Sequence, residues 1–237
     1  MSVREPDLAN KKRLLVVLDF DGFLINSYSL LRDTMYAFGL DVGDEDRFQN
    51  RRKFLKYFGG GKELVANLVS FALPKKKRIR EMLTDIYMDS GRIYAEFIPF
   101  INQLITSPGV HCGIVSRNYT LNPGSTIRRV LRNSEIQEAD LDFVIPIPVG
   151  VKKGDVLIAM RSSRYYDCLL GGDEVGDYRA AVEAGYESII ASYGFDNRKR
   201  LVEHGNVPTV CIFDNPRDLV VQFQRRVSKY LGCASSN

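Results

Sequence analysis

Asp19 and Asp21 stand two residues apart at the end of the apolar run Leu14-Leu15-Val16-Val17-Leu18. Alternate residues of an extended chain point to one side, so both carboxylates are expected together. Like charges that close resist joint ionisation unless a cation or a proton divides their roles. One could then attack an electrophile while the other donates a proton. A turn with a helix cap is the plainer reading of the same residues, and Gly22 lets the chain turn sharply there.

Three more polar groups follow apolar runs. Ser116 closes Cys112-Gly113-Ile114-Val115 and is followed by Arg117 and Asn118. A hydroxyl with free amides at the start of the next helix can hold a phosphate oxygen, although serine in this place also caps helices. Lys152 and Lys153 precede a helical stretch beginning near Asp155, where positive charge is unfavourable unless it meets an anion. Solvated surface lysines are the ordinary alternative. Leu169-Leu170-Gly171-Gly172 runs into Asp173, Glu174 and Asp177. Three carboxylates crowded at a strand end repel one another unless a hard divalent cation is present, and oxygen ligands suit Mg²⁺.

The elements that position these groups are legible from periodicity. Strands are expected over 14–19, 110–116, 142–147, 168–173, 188–192 and 209–213, with helical patterns over 125–132, 155–161, 178–184 and 216–230 between them. The alternation predicts an α/β fold, a doubly wound (Rossmann-like) parallel sheet with helices on both faces. Ligands bind such sheets outside the carboxyl ends of the strands, where the polar residues above lie.

Residues 25–95 break the alternation. They offer only helical candidates, 29–38, 44–57, 62–73 and 75–94, and are too long for an αβ loop. They are expected to fold as a helical unit of their own inserted after the first strand, with residues 1–24 and 96–237 forming the α/β core. Gly60, Gly61 and Lys62 are the place where backbone amides and a lysine could reach an anionic leaving group.

A chain of 237 residues and 26.9 kDa, 45% hydrophobic and 26% charged, is an ordinary globular composition, which excludes disorder and collagen-like sequence. A net charge of +4 is compatible with an anionic ligand. The basic runs Arg51-Arg52-Lys53 and Lys75-Lys76-Lys77-Arg78 lack interleaved aromatics and are expected to be solvated helix faces, not a nucleic-acid site. His111 and His204 are too isolated for metal ligation. Cys112, Cys168, Cys211 and Cys233 form no CxxC pair, so neither zinc nor a disulfide framework is expected. No apolar stretch approaches the ~18 residues of a membrane helix; a soluble, cytoplasmic protein is expected.

Taken in order, Asp19-Phe20-Asp21-Gly22, Ser116, Lys152 or Lys153, and Gly172-Asp173 with Asp177, Ala180, Ala181, Ala184 and Gly185 resemble the four motifs of the haloacid dehalogenase (HAD) superfamily of phosphohydrolases. The insert after the first motif, with Tyr57-Phe58-Gly59-Gly60-Gly61-Lys62, resembles the helical cap of its phosphoglycolate phosphatase-like branch. Phe23 departs from the Thr or Val usual after the motif's glycine, and Lys153-Gly154-Asp155-Val156-Leu157 stands where Lys-Pro-x-Pro is usual. The resemblance implies a Mg²⁺-dependent phosphatase acting on a small phosphorylated metabolite. Asp19 would be the nucleophile and Asp21 the general acid and base. Ser116 and Lys153 or Lys152 would hold phosphoryl oxygens, with Gly22, Arg117 and Asn118 in the phosphate-binding loops. Asp19, the main-chain carbonyl of Asp21, and Asp173 would be the metal ligands, supported by Asp177 and Glu174. A phosphomutase uses the same core. A catalytically silent interaction protein would ordinarily have lost one of the four aspartates, and all are present.

Overall fold

The computed structural model describes residues 14–41, 43–44, 49, 76–136, 140–148, 150–161 and 167–234. Six parallel strands form one sheet: β1 (Leu14–Leu18), β2 (Val110–Ser116), β3 (Phe143–Pro146), β4 (Asp167–Gly172), β5 (Glu187–Ala191) and β6 (Ile212–Phe213), in the order β3-β2-β1-β4-β5-β6. The doubly wound sheet expected from the alternation is therefore present. The chain fills one half of the sheet outward from β1, then returns to β1's other side with β4. The crevice between these two strands is the switch point at which such sheets bind ligands.

β1 is apolar at every position because it is central and covered on both faces. Its alternate side chains enter different cores. Leu14, Val16 and Leu18 join a large cluster with Phe97, Phe100, Ile127, Val130, Leu219 and Phe223. Leu15 and Val17 join a second cluster with Leu157, Ala180, Ala181 and Ala184. The first face is covered by α3 (Phe97–Thr106), α4 (Pro123–Asn133) and α8 (Pro216–Ala234), the second by α5 (Lys153–Met160) and α6 (Val175–Ala184). Burial of each such leucine, valine or phenylalanine contributes roughly 1.5–3 kcal/mol.

The run 209–213, expected as one strand, divides. Thr209–Cys211 form a 3₁₀ turn and only Ile212–Phe213 pair with the sheet. The reason lies in position: this is an edge, and Val210 is 66% exposed, so no buried face rewards extending the strand. Two helices absent from the sequence reading are present, α3 and the short α7 (Arg198–Glu203).

From the insert, the structure describes α1 (Ser27–Tyr36), α2 (Lys76–Ser90) and Gln49. The helices expected over 44–57 and 62–73 lie outside the described residues apart from Asp44 and Gln49, as do Gly60, Gly61 and Lys62. Leu30, Leu31 and Met35 of α1 and Ile79, Leu83 and Tyr87 of α2 share the buried cluster of β1. Polar contacts stitch α2 to the core along its length. Arg80 donates through Nε and Nη2 to the carbonyls of Tyr119 and Thr120, at 3.0 and 2.7 Å. The Leu121 amide donates to Thr84 Oγ1 at 2.9 Å, and Asn133 Nδ2 donates to the Met88 carbonyl at 2.8 Å. Gln49 Nε2 donates to the Gly194 carbonyl at 2.6 Å, on the loop after β5.

Candidate active site

Asp19 leaves the end of β1 with its amide donating to the Gly171 carbonyl of β4 at 2.8 Å, which seats it over the crevice. Lys153, the first residue of α5, donates from Nζ to Asp19 Oδ1 at 2.7 Å and to Asp177 Oδ1. Asp177 Oδ2 in turn accepts the amides of Asp173 and Glu174, at 3.1 and 3.0 Å. That pair of bonds both caps α6 and fixes the carboxylate. Asp173 follows β4, and its Oδ2 accepts the Phe195 amide at 2.6 Å. Of the two candidate lysines, Lys153 reaches the carboxylates, while Lys152 at the cap of α5 is exposed. The anion that a lysine at a helix start requires is thus Asp19 together with Asp177.

Asp19, Asp173 and Asp177 are buried, and one oxygen from each lies within 4.8 Å of the others. One ammonium faces three carboxylates. Burial pushes the Asp173 carboxyl well above its ordinary range, and the charges of Asp19 and Asp177 push it further. Burial also raises Asp19, with Lys153 opposing. For Lys153 burial works to remove the proton, but Asp177 and Asp19 outweigh it and hold the ammonium charged. Asp173 Oδ1 is buried without a hydrogen-bond partner, as is Ser116 Oγ. An orphaned buried oxygen costs about 1–3 kcal/mol. A net-negative all-oxygen cluster with an uncommitted carboxylate oxygen fits a hard divalent cation such as Mg²⁺. Two glycines leave room for the Asp173 carboxylate: a β-carbon on Gly22 or on Gly194 would lie 2.2 Å from its Oδ2.

These electrostatics carry an expected result. A carboxyl raised above the ~3.9 of an unfolded aspartate destabilises the fold as pH rises above that value, because the unfolded chain then ionises more readily. Metal-free Asp173→Asn is therefore expected to melt above metal-free wild type at pH 7, by about 2–4 °C for each kcal/mol of strain relieved in a chain of this size. Added Mg²⁺ should raise the melting temperature of wild type and leave the variant unmoved. Identical melting with and without the ion in both proteins would remove Asp173 as a ligand.

Asp21 is held by different partners. Tyr87 Oη and Ser27 Oγ donate to its Oδ1 at 2.8 and 3.0 Å, and Asn118 Nδ2 donates to its Oδ2 at 3.0 Å. Burial pushes its pKa up to about 7; these donors pull down and the charge of Asp19 pushes up. The Asp21 side chain is not among the carboxylates gathered at the cluster, which are those of Asp19, Asp173 and Asp177.

Several loop residues serve the scaffold. Arg117 Nη2 donates to the Val151 carbonyl at 2.6 Å, tying the loop after β2 to the segment that delivers Lys153. Asn118 spends its amide on Asp21 and its carbonyl oxygen on the Thr120 amide. The Gly22 amide donates to Ser27 Oγ at 3.0 Å. The Gly22 amide and the Asn118 side chain are thus engaged within the protein, whereas Arg117 keeps its Nε buried without a hydrogen-bond partner among the described residues. Glu174 enters through its amide and through its charge on Asp173.

The contacts to Asp21 were not foreseen; besides that of Asn118, two come from residues 25–95, to which no phosphoryl chemistry was assigned. Ser27 lies only six residues beyond Asp21, close enough to be suspected as a turn partner. Tyr87 is 66 residues away and carries no local signal. Phe23 is fully buried, its ring centroid 5.2 Å from Phe97 and 6.3 Å from Phe223. It faces Gly171, where a β-carbon would come within 2.4 Å of its ring.

No protein-family profile matches this sequence, and no curated protein does. Solved structures do match over almost the whole chain. A haloacid dehalogenase-like hydrolase from Streptococcus pneumoniae is similar with a TM-score of 0.60 at 16% identity, over 89% of this chain and 98% of that one. A proposed phosphoglycolate phosphatase from Lactobacillus delbrueckii gives 0.56 at 17% identity, over 89% and 98%. A proposed β-phosphoglucomutase from Thermotoga maritima gives 0.55 at 14% identity, over 89% and 98%. Likeness at this identity establishes the fold, and the fold is haloacid dehalogenase-like.

Proposed function

We propose that this haloacid dehalogenase-like chain is a phosphatase that moves the phosphoryl group of a small phosphorylated metabolite first to Asp19 and then to water, with Mg²⁺ as its cofactor. The observation that carries the reading is the division of labour between two aspartates two residues apart. Asp19 is ion-paired to Lys153, and Asp21 is held separately with a pKa of about 7. A group titrating there can give a proton in one step and take one in the next.

Asp19, Asp173 and the Asp21 carbonyl would hold the ion, whose positive charge would offset the negative charge of the phosphoryl oxygens. Lys153 fixes the Asp19 carboxylate and adds its own positive charge beside the transferring group. Ser116, whose buried hydroxyl lies beside Asp19, donates to a phosphoryl oxygen. As the bond from Asp19 to phosphorus forms, the ester P–O bond breaks and Asp21 gives its proton to the leaving oxygen. In the second step water attacks phosphorus, Asp21 takes the water proton, and the Asp19–phosphorus bond breaks to release inorganic phosphate. Asp177 keeps Lys153 in place throughout. Residues 25–95 act as the cap that excludes water and selects the leaving group, with Gly60, Gly61 and Lys62 as its substrate contact.

None of the helices among the described residues is long and apolar enough to cross a membrane. Cys112, Cys168 and Cys211 are free thiols, which suits a reducing compartment such as the cytoplasm.

The test is phosphate release from a panel of phosphorylated sugars, acids and alcohols with Mg²⁺. At least one small ester should turn over within the usual ~1–10³ s⁻¹, and chelation should stop it. Likeness to a proposed β-phosphoglucomutase favours one second reading, a phosphomutase. That reading predicts phosphoryl transfer to a sugar hydroxyl with little free phosphate. No turnover together with a stable protein partner in pull-downs would mark an interaction protein.

A further inference from the structure

Tyr87 is 3% exposed and donates its hydroxyl to Asp21 Oδ1 at 2.8 Å from a helix assigned to the insert. We propose that Tyr87 is a positioning residue for Asp21, holding the carboxylate so that Oδ2 faces the leaving group; this rests on the phosphatase reading above. Three donors reach Asp21 from three elements: Ser27 from the start of α1, Asn118 from the loop after β2, and Tyr87 from α2. Tyr87 and Ser27 both donate to Oδ1, which Asn118 Nδ2 also reaches at 3.3 Å, so Oδ2, met by Asn118 alone among the described residues at 3.0 Å, is the less committed oxygen and the one placed for proton exchange.

The helix that presents Tyr87 is fixed to the core. Arg80, Thr84 and Met88 stand four residues apart on α2, and each is bonded to the core segments 119–121 or 133. The phenol is therefore tied to the same loop that carries Asn118. Two of the three donors on Asp21 move with the sheet, whatever the remainder of residues 25–95 does. Burial raises the Tyr87 phenol well above its ordinary value, so it keeps its proton and remains a donor at every working pH. Without that hydroxyl the carboxylate can turn toward Ser27 and Asn118, and a displacement of the order of an ångström in a proton donor costs roughly 10²-fold.

The test compares two esters. An alkyl phosphate needs a proton on its leaving oxygen, whereas an activated aryl phosphate does not, and kcat/KM reports only the step that forms the phosphoenzyme. Tyr87→Phe keeps the ring and its packing. It is expected to lower kcat/KM for the alkyl ester about 10–100-fold, within the range of general acid catalysis. The loss should lie in kcat, with KM within about twofold, and the aryl ester should lose no more than about threefold. Arg80→Gln releases α2 from the loop after β2 without touching Asp21. It should show the same ester-selective loss at about 3–10-fold, an independent readout should Tyr87→Phe fold poorly. Equal losses on both esters, or none, in the two variants would overturn the positioning role while leaving phosphatase activity standing. A wild type that hydrolyses neither ester overturns the phosphatase reading and this role with it.

Discussion

In Asp19→Asn, Mg²⁺-dependent phosphate release is expected to fall by roughly 10⁴-fold or more, the loss that follows removal of a nucleophile working within a unit. The amide is nearly isosteric, and the variant should keep its fold. Burial already raises the Asp19 carboxyl, so neutralising it does not remove a favourably solvated charge. The direct measurement is acid-quenched capture of labelled phosphate on the protein. Wild type should carry label on Asp19 at up to one equivalent, and the variant none. Turnover comparable to wild type, with no label on either protein, would exclude Asp19 as nucleophile.

Asp21→Asn is expected to separate the two halves of the reaction. With an activated aryl phosphate the variant should release about one equivalent of phenol per protein and then stall, because nothing takes the proton of the attacking water. Steady-state turnover should fall about 10²–10⁴-fold, the usual contribution of a general acid or base. The pH dependence has a definite sign. Burial sets Asp21 at about 7, and the acid form is the one that protonates an alkyl leaving group. In wild type kcat/KM for an alkyl ester should therefore decline above about pH 7, approaching tenfold per unit, while the acidic limb belongs to Asp19, which must be ionised to attack. The variant should lack the decline above 7. A decline that persists in Asp21→Asn would assign it to another group, and sustained turnover of the aryl ester would remove Asp21 as the base.

The parts of this site that were legible in the sequence are those that sit where a buried strand stops. Asp19, Ser116 and Asp173 follow runs whose apolar character announces the strand, and a parallel sheet places all such ends on one rim. Lys153 was legible as a lysine opening a helix, but its distinction from Lys152 was not. Adjacent helical residues point about 100° apart, and the sequence does not say which faces the crevice. Helix α3 carried its pattern openly in Phe97, Phe100, Ile101 and Leu104, although Pro99 in its first turn interrupts the look of a helix. Tyr87 was beyond reach for another reason. A hydroxyl 66 residues from its acceptor is delivered by the packing of α2 on the core, which local periodicity does not encode. The commitments of Arg117 and Asn118 were hidden likewise, since polar residues after a strand look alike whether they meet a ligand or their own backbone.

Phe23 and Gly171 set a constraint of another kind. The ring fills space that any β-carbon at 171 would enter, 2.4 Å from its tip. Phe23 shortened alone leaves a void beside the nucleophile, of the sort that costs about 3–5 kcal/mol for a phenylalanine truncated fully. Gly171 enlarged alone strikes the ring. A β-carbon at 171 would also lie 2.8 Å from the tip of Phe223, so a smaller residue at 23 opens only part of the space and positions 23, 171 and 223 are coupled. The aromatic at 23 is thus one member of a three-residue packing unit with Gly171 and Phe223, and exchanging it by itself disturbs the other two.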